Sequence, residues 1–144
     1  MNSVQIIADS TMSRDEALAN LPVDCPIEIC EQQVLVAVHY YSFDGQVHAG
    51  QILIARDLAT DIELIFKLAL ELKFPIESAV PLADKKFSWS DDLSMQANNT
   101  SAFNHRSKVG KMELSKHAAG RAIDINPRFN PYVNGVIVLP LGAR

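Results

Sequence analysis

The sequence predicts an α+β fold in which a small antiparallel sheet is flanked by helices. Two apolar runs joined by Asp44-Gly45 indicate a β-hairpin, since this dipeptide favours the tight turns that connect antiparallel strands. A segment with apolar residues at helical spacing follows the hairpin, and a short helix precedes it. The 144 residues contain no repeat or low-complexity linker, so we expect one domain, residues 1–144.

The first helix and the hairpin are predicted from local signals. Ser13 and Glu16 have the spacing of a capping box, which predicts a helix from there to about Asn20. Residues 34–40 are predicted to form the first strand of the hairpin, residues 42–45 its turn, and residues 47–55 the returning strand. These two strands would form the centre of the sheet.

The main helix is predicted to begin at a second capping box, at residues 60–63, and to continue to Lys73 before Phe74 and Pro75 end it. An apolar stripe on this helix is expected to face the core, and it consists of Ile62, Ile65, Phe66 and Ala69. Residues 76–82 predict a further strand, and residues 85–106 a long irregular stretch. Irregular stretches of that length in compact domains tend to carry function.

The composition excludes some classes of function. A formal net charge of -4, with 21% charged and 48% hydrophobic residues, argues against a nucleic-acid surface, which needs clustered Lys and Arg. No apolar run approaches the ~18 residues of a membrane span, and residues 1–10 lack the pattern of a signal peptide. The location stays open, because a cytosolic chain and an exported chain without its leader, acting in the periplasm or cell wall, would look the same. The sequence predicts no oligomeric state.

The two cysteines, Cys25 and Cys30, are separated by four residues that begin with Pro26. Their spacing is neither that of a zinc knuckle nor that of a redox Cys-x-x-Cys motif. Two states stay open at this point. The pair forms a local disulfide if the chain is exported, or it remains as two buried free thiols.

Residues 115–124 carry the strongest chemical signal, because His117 and Asp124 flank Gly120. An imidazole and a carboxylate are both zinc ligands, but seven extended residues span roughly 23 Å, so the chain must fold back for them to meet. Gly120 can supply the turn. Residues 122–126 are expected to follow as a strand, with the even-numbered residues on one face and the two isoleucines on the buried face. From spacing alone, an ordinary histidine and an exposed aspartate remain the alternative.

The pattern Ser-x-His-x-x-Gly-x-Ala-x-Asp at residues 115–124 resembles the signature of the D-alanyl-D-alanine carboxypeptidase-like zinc peptidases, a group that includes the L-alanyl-D-glutamate endolysins. Upstream, residues 91–106 include Asp-Asp and then Asn-Asn-Thr-Ser-Ala-Phe-Asn-His-Arg, which is similar to the segment preceding the signature in one branch of the family. Downstream, Asn-Pro at 126–127 and Asn-Pro-Tyr at 130–132 fit the same branch. The resemblance covers residues 74–142, about half of the chain.

The resemblance implies a carboxypeptidase/hedgehog-like zinc peptidase fold and a role for four residues. His117 and Asp124 would bind Zn²⁺. Arg106 would stabilise the substrate carbonyl or the oxyanion formed from it, a task that suits the permanent charge and rigid donors of a guanidinium. Ser115 would orient the site through hydrogen bonds around the metal. For Arg106 the alternative is a surface ion pair.

Asp91 and Asp92 precede this region and are candidate substrate-binding residues. They would bind the amino groups of a wall peptide or a structural cation. The alternative is a solvated acidic turn without a ligand.

The sequence departs from the family in one respect. The third zinc ligand of the family is a second histidine, and its general base is an acidic residue three positions earlier, but no histidine follows His117. Three interpretations stay open. The chain is a fragment or shortened form of a longer peptidase, or one of His105, His39 and His48 completes the site, or the domain binds wall peptides without catalysis. We favour the first interpretation.

The function that the resemblance implies is metal-assisted hydrolysis of a peptide bond in short, D-amino-acid-containing peptides of the bacterial cell wall. A bound zinc ion would lower the pKa of its water towards ~7, and a general base would accept the proton. Without a third ligand and a base, this polypeptide is expected to be inactive. The sequence does not indicate which bond of the wall peptide is cut.

Overall fold

The computed structural model describes residues 5–21, 24–105, 114–140 and 142–143. The helices are α1 (Arg14–Ala17), α2 (Ile27–Glu31), α3 (Ala59–Glu71) and α4 (Asp91–Gln96). The strands are β1 (Ile7–Ala8), β2 (Gln33–Tyr41), β3 (Val47–Ala55), β4 (Ser78–Ala79), β5 (Asn99–Thr100), β6 (Tyr132–Asn134) and β7 (Ile137–Leu139). This is the α+β class that the sequence predicts. None of the helices in these ranges has the length and apolar character that a membrane crossing requires.

The main sheet has three strands in the order β1-β3-β2. Strands β2 and β3 pair antiparallel over their full length, from Gln33 opposite Ala55 to Tyr41 opposite Val47, so the predicted hairpin is confirmed. Strand β1 lies parallel to β3, and the sheet is therefore mixed rather than purely antiparallel as predicted. The parallel pairing is possible because α1, α2 and β2 lie between β1 and β3 in the sequence, and parallel strands need such a long connection.

Two further pairs of strands lie outside this sheet, β4 parallel to β5 and β6 antiparallel to β7. The strand predicted at residues 76–82 is reduced to Ser78–Ala79. Beyond Ala79 the side chain of Asn99 replaces a strand partner, since it accepts from the Val80 N–H at 3.0 Å and donates to the Val80 carbonyl at 2.8 Å. The stretch predicted to be irregular contains α4 and β5.

Of the two predicted helix starts, that of α1 is confirmed and that of α3 is wrong. The capping box that opens α1 is confirmed, because the Glu16 N–H donates to the Ser13 hydroxyl, although the helix ends at Ala17. The capping box predicted at residues 60–63 is wrong. Helix α3 begins at Ala59, directly after the 3-10 turn Arg56–Leu58, and no side chain caps it.

The main core lies between α3 and the β2–β3 hairpin. On α3, Ile62 and Phe66 are buried and Ala69 packs partly buried against the same core. Ile65, which was predicted to face the core, is 41% exposed instead. Burying a side chain as large as that of Phe66 contributes about 1.5–3 kcal/mol. The core therefore fixes α3 on the hairpin that also supports the site described below.

The two cysteines lie beside α2, where Cys25 Sγ is 3.0 Å from Cys30 Sγ. Both are free thiols and both are half-buried. Burial raises the pKa of Cys25 to about 12, and the hydrogen bond to Cys30 adds to this effect. Of the two states left open by the sequence, the structure contains the pair of thiols.

Candidate metal centre

One largely buried segment, residues 99–105, positions both members of the predicted zinc pair. Ser101 and Asp124 exchange two backbone hydrogen bonds, with N–H to carbonyl distances of 3.2 and 2.9 Å. The carbonyl of the next residue, Ala102, accepts a 2.6 Å hydrogen bond from His117 Nδ1. The Asn104 N–H donates to the His117 carbonyl at 2.9 Å. Neighbouring residues of a single segment thus fix the backbone of Asp124 and the imidazole ring of His117.

His117 lies in a 3-10 turn, Lys116–Ala119, which Ser115 caps at its start and Gly120 ends. At its start, the Ser115 hydroxyl accepts a 3.2 Å hydrogen bond from the His117 N–H. At its end, Gly120 adopts a left-handed conformation with φ 69°, and its carbonyl accepts from the Ala55 N–H at 3.0 Å. The predicted reversal at Gly120 is confirmed, because this conformation returns the chain towards the hairpin.

Gln33, the first residue of β2, supports the same turn from inside the protein. Its side chain is fully buried, and Nε2 donates to the carbonyls of Ala119 at 2.9 Å and Ile29 at 3.1 Å. A Cβ atom at Gly120 would lie 1.9 Å from Gln33 Oε1, so this approach requires glycine. Gln33 is not predicted from the sequence, since a single polar residue at the start of a strand gives no recognisable signal.

The predicted pair meets, with His117 Nε2 3.2 Å from Asp124 Oδ2. Two donors that each lie 2.0–2.1 Å from a tetrahedral zinc are about 3.3 Å apart. Because Nδ1 donates its proton to the Ala102 carbonyl, the neutral ring presents the Nε2 lone pair towards Asp124. An imidazolium that donates from Nε2 to Asp124 fits the same distance. The arrangement can therefore act as an ion pair or as two ligands of one cation.

The pair lies where the core meets solvent, since the side chain of His117 is 11% exposed and that of Asp124 is 39% exposed. Beside it, a cleft of about 400 Å³ is lined by Phe74, Ile123, Asp124, Ile125 and Asn130. Its volume lies within the range of small-molecule sites. Asp124 thus connects the candidate metal position with a cleft of mixed polar and apolar surface.

The described residues supply no third ligand, because no group of three His, Cys, Asp or Glu side chains among them could hold a metal. His105 is buried and donates from Nδ1 to a backbone carbonyl at 3.1 Å. His48 contacts Asp9 through Nδ1 and Asp44 through Nε2, each at 2.8 Å. His39 is exposed on β2. The interpretation that one of these three histidines completes the site finds no support in this part of the chain.

The remaining predicted residues are placed as follows. Arg106 lies outside the described residues. Ser115 acts through the backbone of His117, as described above. Asp91 and Asp92 occupy the first turn of α4, after the capping residue Ser90. Negative side chains are favoured at this end of a helix, which gives both carboxylates a structural role whether or not they bind a ligand.

The strand predicted at residues 122–126 is wrong, since only Asp124 forms a β-bridge there. Ile123 and Ile125 pack partly buried against the core, as predicted. Asn126, however, is buried and has φ 45°. Its side chain accepts from the Glu77 N–H at 3.1 Å and donates to the Pro75 carbonyl at 2.8 Å. These bonds explain why the chain leaves the extended conformation after Asp124.

An exposed ion pair links the chain between the turn and Asp124 to the residues before α3. Both terminal nitrogens of Arg121 contact the carboxylate of Asp57, at 2.8 and 2.9 Å. The hydrogen bonds and charge of Arg121 lower the pKa of Asp57. Exposed pairs of this kind stabilise proteins little, so its main effect is to hold Arg121 against the turn that precedes α3.

Comparison of the chain with protein-family models, with curated proteins and with solved structures finds no match.

Proposed function

We propose that this chain is a zinc-binding domain of the peptidase class that acts on D-amino-acid-containing peptides of the bacterial cell wall. The observation that supports the proposal best is the 3.2 Å separation of His117 Nε2 and Asp124 Oδ2. The sequence pattern at residues 115–124 suggests both ligands independently of this distance.

In this proposal His117 and Asp124 hold the ion, and the Ala102 carbonyl keeps the His117 ring in the ligand tautomer. A zinc ion held by these residues would supply Lewis-acid chemistry, polarising a carbonyl and lowering the pKa of bound water. Arg106 is proposed to stabilise negative charge on the substrate oxygen. Two protein ligands hold zinc weakly, since catalytic sites use three, so we expect weak binding by this polypeptide.

The cleft beside Asp124 is the proposed place for the wall peptide. The side chains of Phe74, Ile123 and Ile125 offer an apolar surface that suits the methyl group of a D-alanine, next to the candidate metal position. Asp91 and Asp92 are proposed to attract the amino groups of the same peptide. A peptide ending in D-Ala-D-Ala is therefore the first substrate to test.

A second candidate function is a wall-peptide binding module without catalysis. It is favoured by the finding that the described residues contain no group of three metal ligands. Both functions place a peptide in the cleft, but only the peptidase releases D-alanine. Because this polypeptide lacks a third ligand and a base, the two are distinguished by measuring free D-alanine released from the peptide, with zinc present, by the chain extended with any residues that its gene encodes after Arg144.

The metal site is tested by titrating zinc into the metal-free chain in competition with a chromogenic chelator. His117→Ala is expected to weaken zinc binding at least tenfold, because it removes one of two ligands. His39→Ala is the matched control, since His39 is exposed on β2 and takes no part in the site. Equal zinc affinity of the wild type and His117→Ala would refute the site.

A further inference from the structure

Cys25 and Cys30 are closer than two unrelated thiols usually come. Their sulfur atoms are 3.0 Å apart, whereas a disulfide bond is about 2.05 Å long. Closing the bond therefore requires a movement of about 1 Å, which two half-buried side chains can share by small rotations.

The surroundings hold both cysteines in place. Cys25 packs partly buried against a small core cluster that includes Ala17 and Leu53. The carbonyl of Cys30 accepts a 2.9 Å hydrogen bond from Arg14 Nη2. Because each cysteine is fixed by a different part of the protein, the fold determines the short distance between the two sulfur atoms.

We propose that Cys25 and Cys30 form a reversible disulfide by exchange with a low-molecular-weight disulfide such as oxidised glutathione. The thiolate of one cysteine attacks a sulfur of the reagent, breaks its S–S bond and releases one glutathione thiolate. The thiolate of the other cysteine then attacks the protein sulfur of this mixed disulfide and displaces the second glutathione. The cysteines lose two electrons and two protons, and the reagent gains them as two thiols.

The disulfide would join Cys25, two residues before the start of α2, to Cys30 in the last turn of that helix. Helix α2 in turn supports the candidate metal centre, because Gln33 Nε2 donates to the Ile29 carbonyl and to the Ala119 carbonyl of the His117 turn. Closing so short a loop is expected to raise the melting temperature by roughly 5 °C. The disulfide would thus stabilise helix α2, which supports the His117 turn through Gln33, without contacting that turn.

The experiment equilibrates the whole chain, with a chelator present, in buffers of reduced and oxidised glutathione at increasing ratios. Remaining thiols are alkylated, and intact mass spectrometry counts alkyl groups and glutathione adducts. The wild type is expected to lose both thiols in one step and to carry no glutathione. Cys25→Ser and Cys30→Ser, the matched controls, are each expected to keep a single glutathione adduct under the same conditions.

Two results would overturn the proposal. One is a wild type that keeps a glutathione adduct like the single variants, because the second thiol would then be unable to close the bond. The other is an oxidised wild type that melts at the temperature of its reduced form, because the disulfide would then stabilise nothing. Since zinc is absent throughout, neither result depends on the proposed peptidase function.

Discussion

Replacing Gly120 by alanine tests how the His117 turn is held. The left-handed φ of 69° costs an alanine roughly 1–2 kcal/mol. The new Cβ would also lie 1.9 Å from Gln33 Oε1 and 2.9 Å from the Ala55 nitrogen. Gln33 must then move and lose its two hydrogen bonds, at about 1 kcal/mol each. We expect Gly120→Ala to lower the free energy of unfolding by roughly 3–4 kcal/mol.

Gly135→Ala is the matched control for Gly120→Ala. Gly135 has a similar φ of 61°, but apart from its own residue and its two chain neighbours no atom lies within 4 Å of the position where its Cβ would be. Gly135→Ala should therefore lower the free energy of unfolding only by the cost of the left-handed φ for an alanine, roughly 1–2 kcal/mol. With a urea m-value of about 2 kcal/mol/M, the two unfolding midpoints should differ by about 1 M. The fluorescence of the single tryptophan, Trp89, reports the transition.

A double-mutant cycle sharpens this comparison. If alanine at position 120 already displaces Gln33, adding Gln33→Ala to Gly120→Ala should destabilise the chain much less than Gln33→Ala does alone. Equal unfolding midpoints for Gly120→Ala and Gly135→Ala, or additive effects in the cycle, would show that the contact with Gln33 does not constrain the turn.

Three further predictions concern other parts of the structure. Burial alone would lower the pKa of His48, but the hydrogen bonds and charges of Asp44 and Asp9 outweigh it and raise that pKa above 6.5. The resulting stability is present below pH 6.5 and is lost as the pH rises through the raised pKa. His48→Gln should therefore make the free energy of unfolding less dependent on pH between about pH 6 and 9. Asn126→Ala removes both hydrogen bonds of a buried amide and should cost about 2–4 kcal/mol in urea denaturation, and a loss under about 1 kcal/mol would contradict this. Ser115→Ala should destabilise by about 1 kcal/mol and weaken zinc binding several-fold, whereas unchanged zinc affinity would mean that the cap does not position His117.

Local signals in the sequence predicted the elements that depend on neighbouring residues. The hairpin follows from two apolar runs and the Asp44-Gly45 turn between them, and both of its strands are found as predicted. Helix α3 was predicted from its apolar spacing, but its start was misplaced, because the 3-10 turn Arg56–Leu58 leads directly into it. The parallel pairings of β1 with β3 and of β4 with β5 join distant residues, which no local pattern reveals.

In the candidate site, too, contacts between distant residues could not be predicted from local patterns. The glycine between His117 and Asp124 indicated that the chain must turn back, and the two side chains do meet. What positions them is a backbone carbonyl at Ala102, a backbone bridge at Ser101 and the amide of Gln33. Main-chain groups are common to every residue, so a sequence cannot mark which of them will bind a particular side chain.

The use of main-chain atoms by the segment at residues 101–102 has an evolutionary consequence. Neither the hydroxyl of Ser101 nor the methyl group of Ala102 makes the bonds that hold His117 and Asp124. Substitutions of similar size at these two positions can accumulate while the relative placement of His117 and Asp124 is inherited unchanged. Proline at position 101 is the exception, because it would remove the N–H that donates to the Asp124 carbonyl.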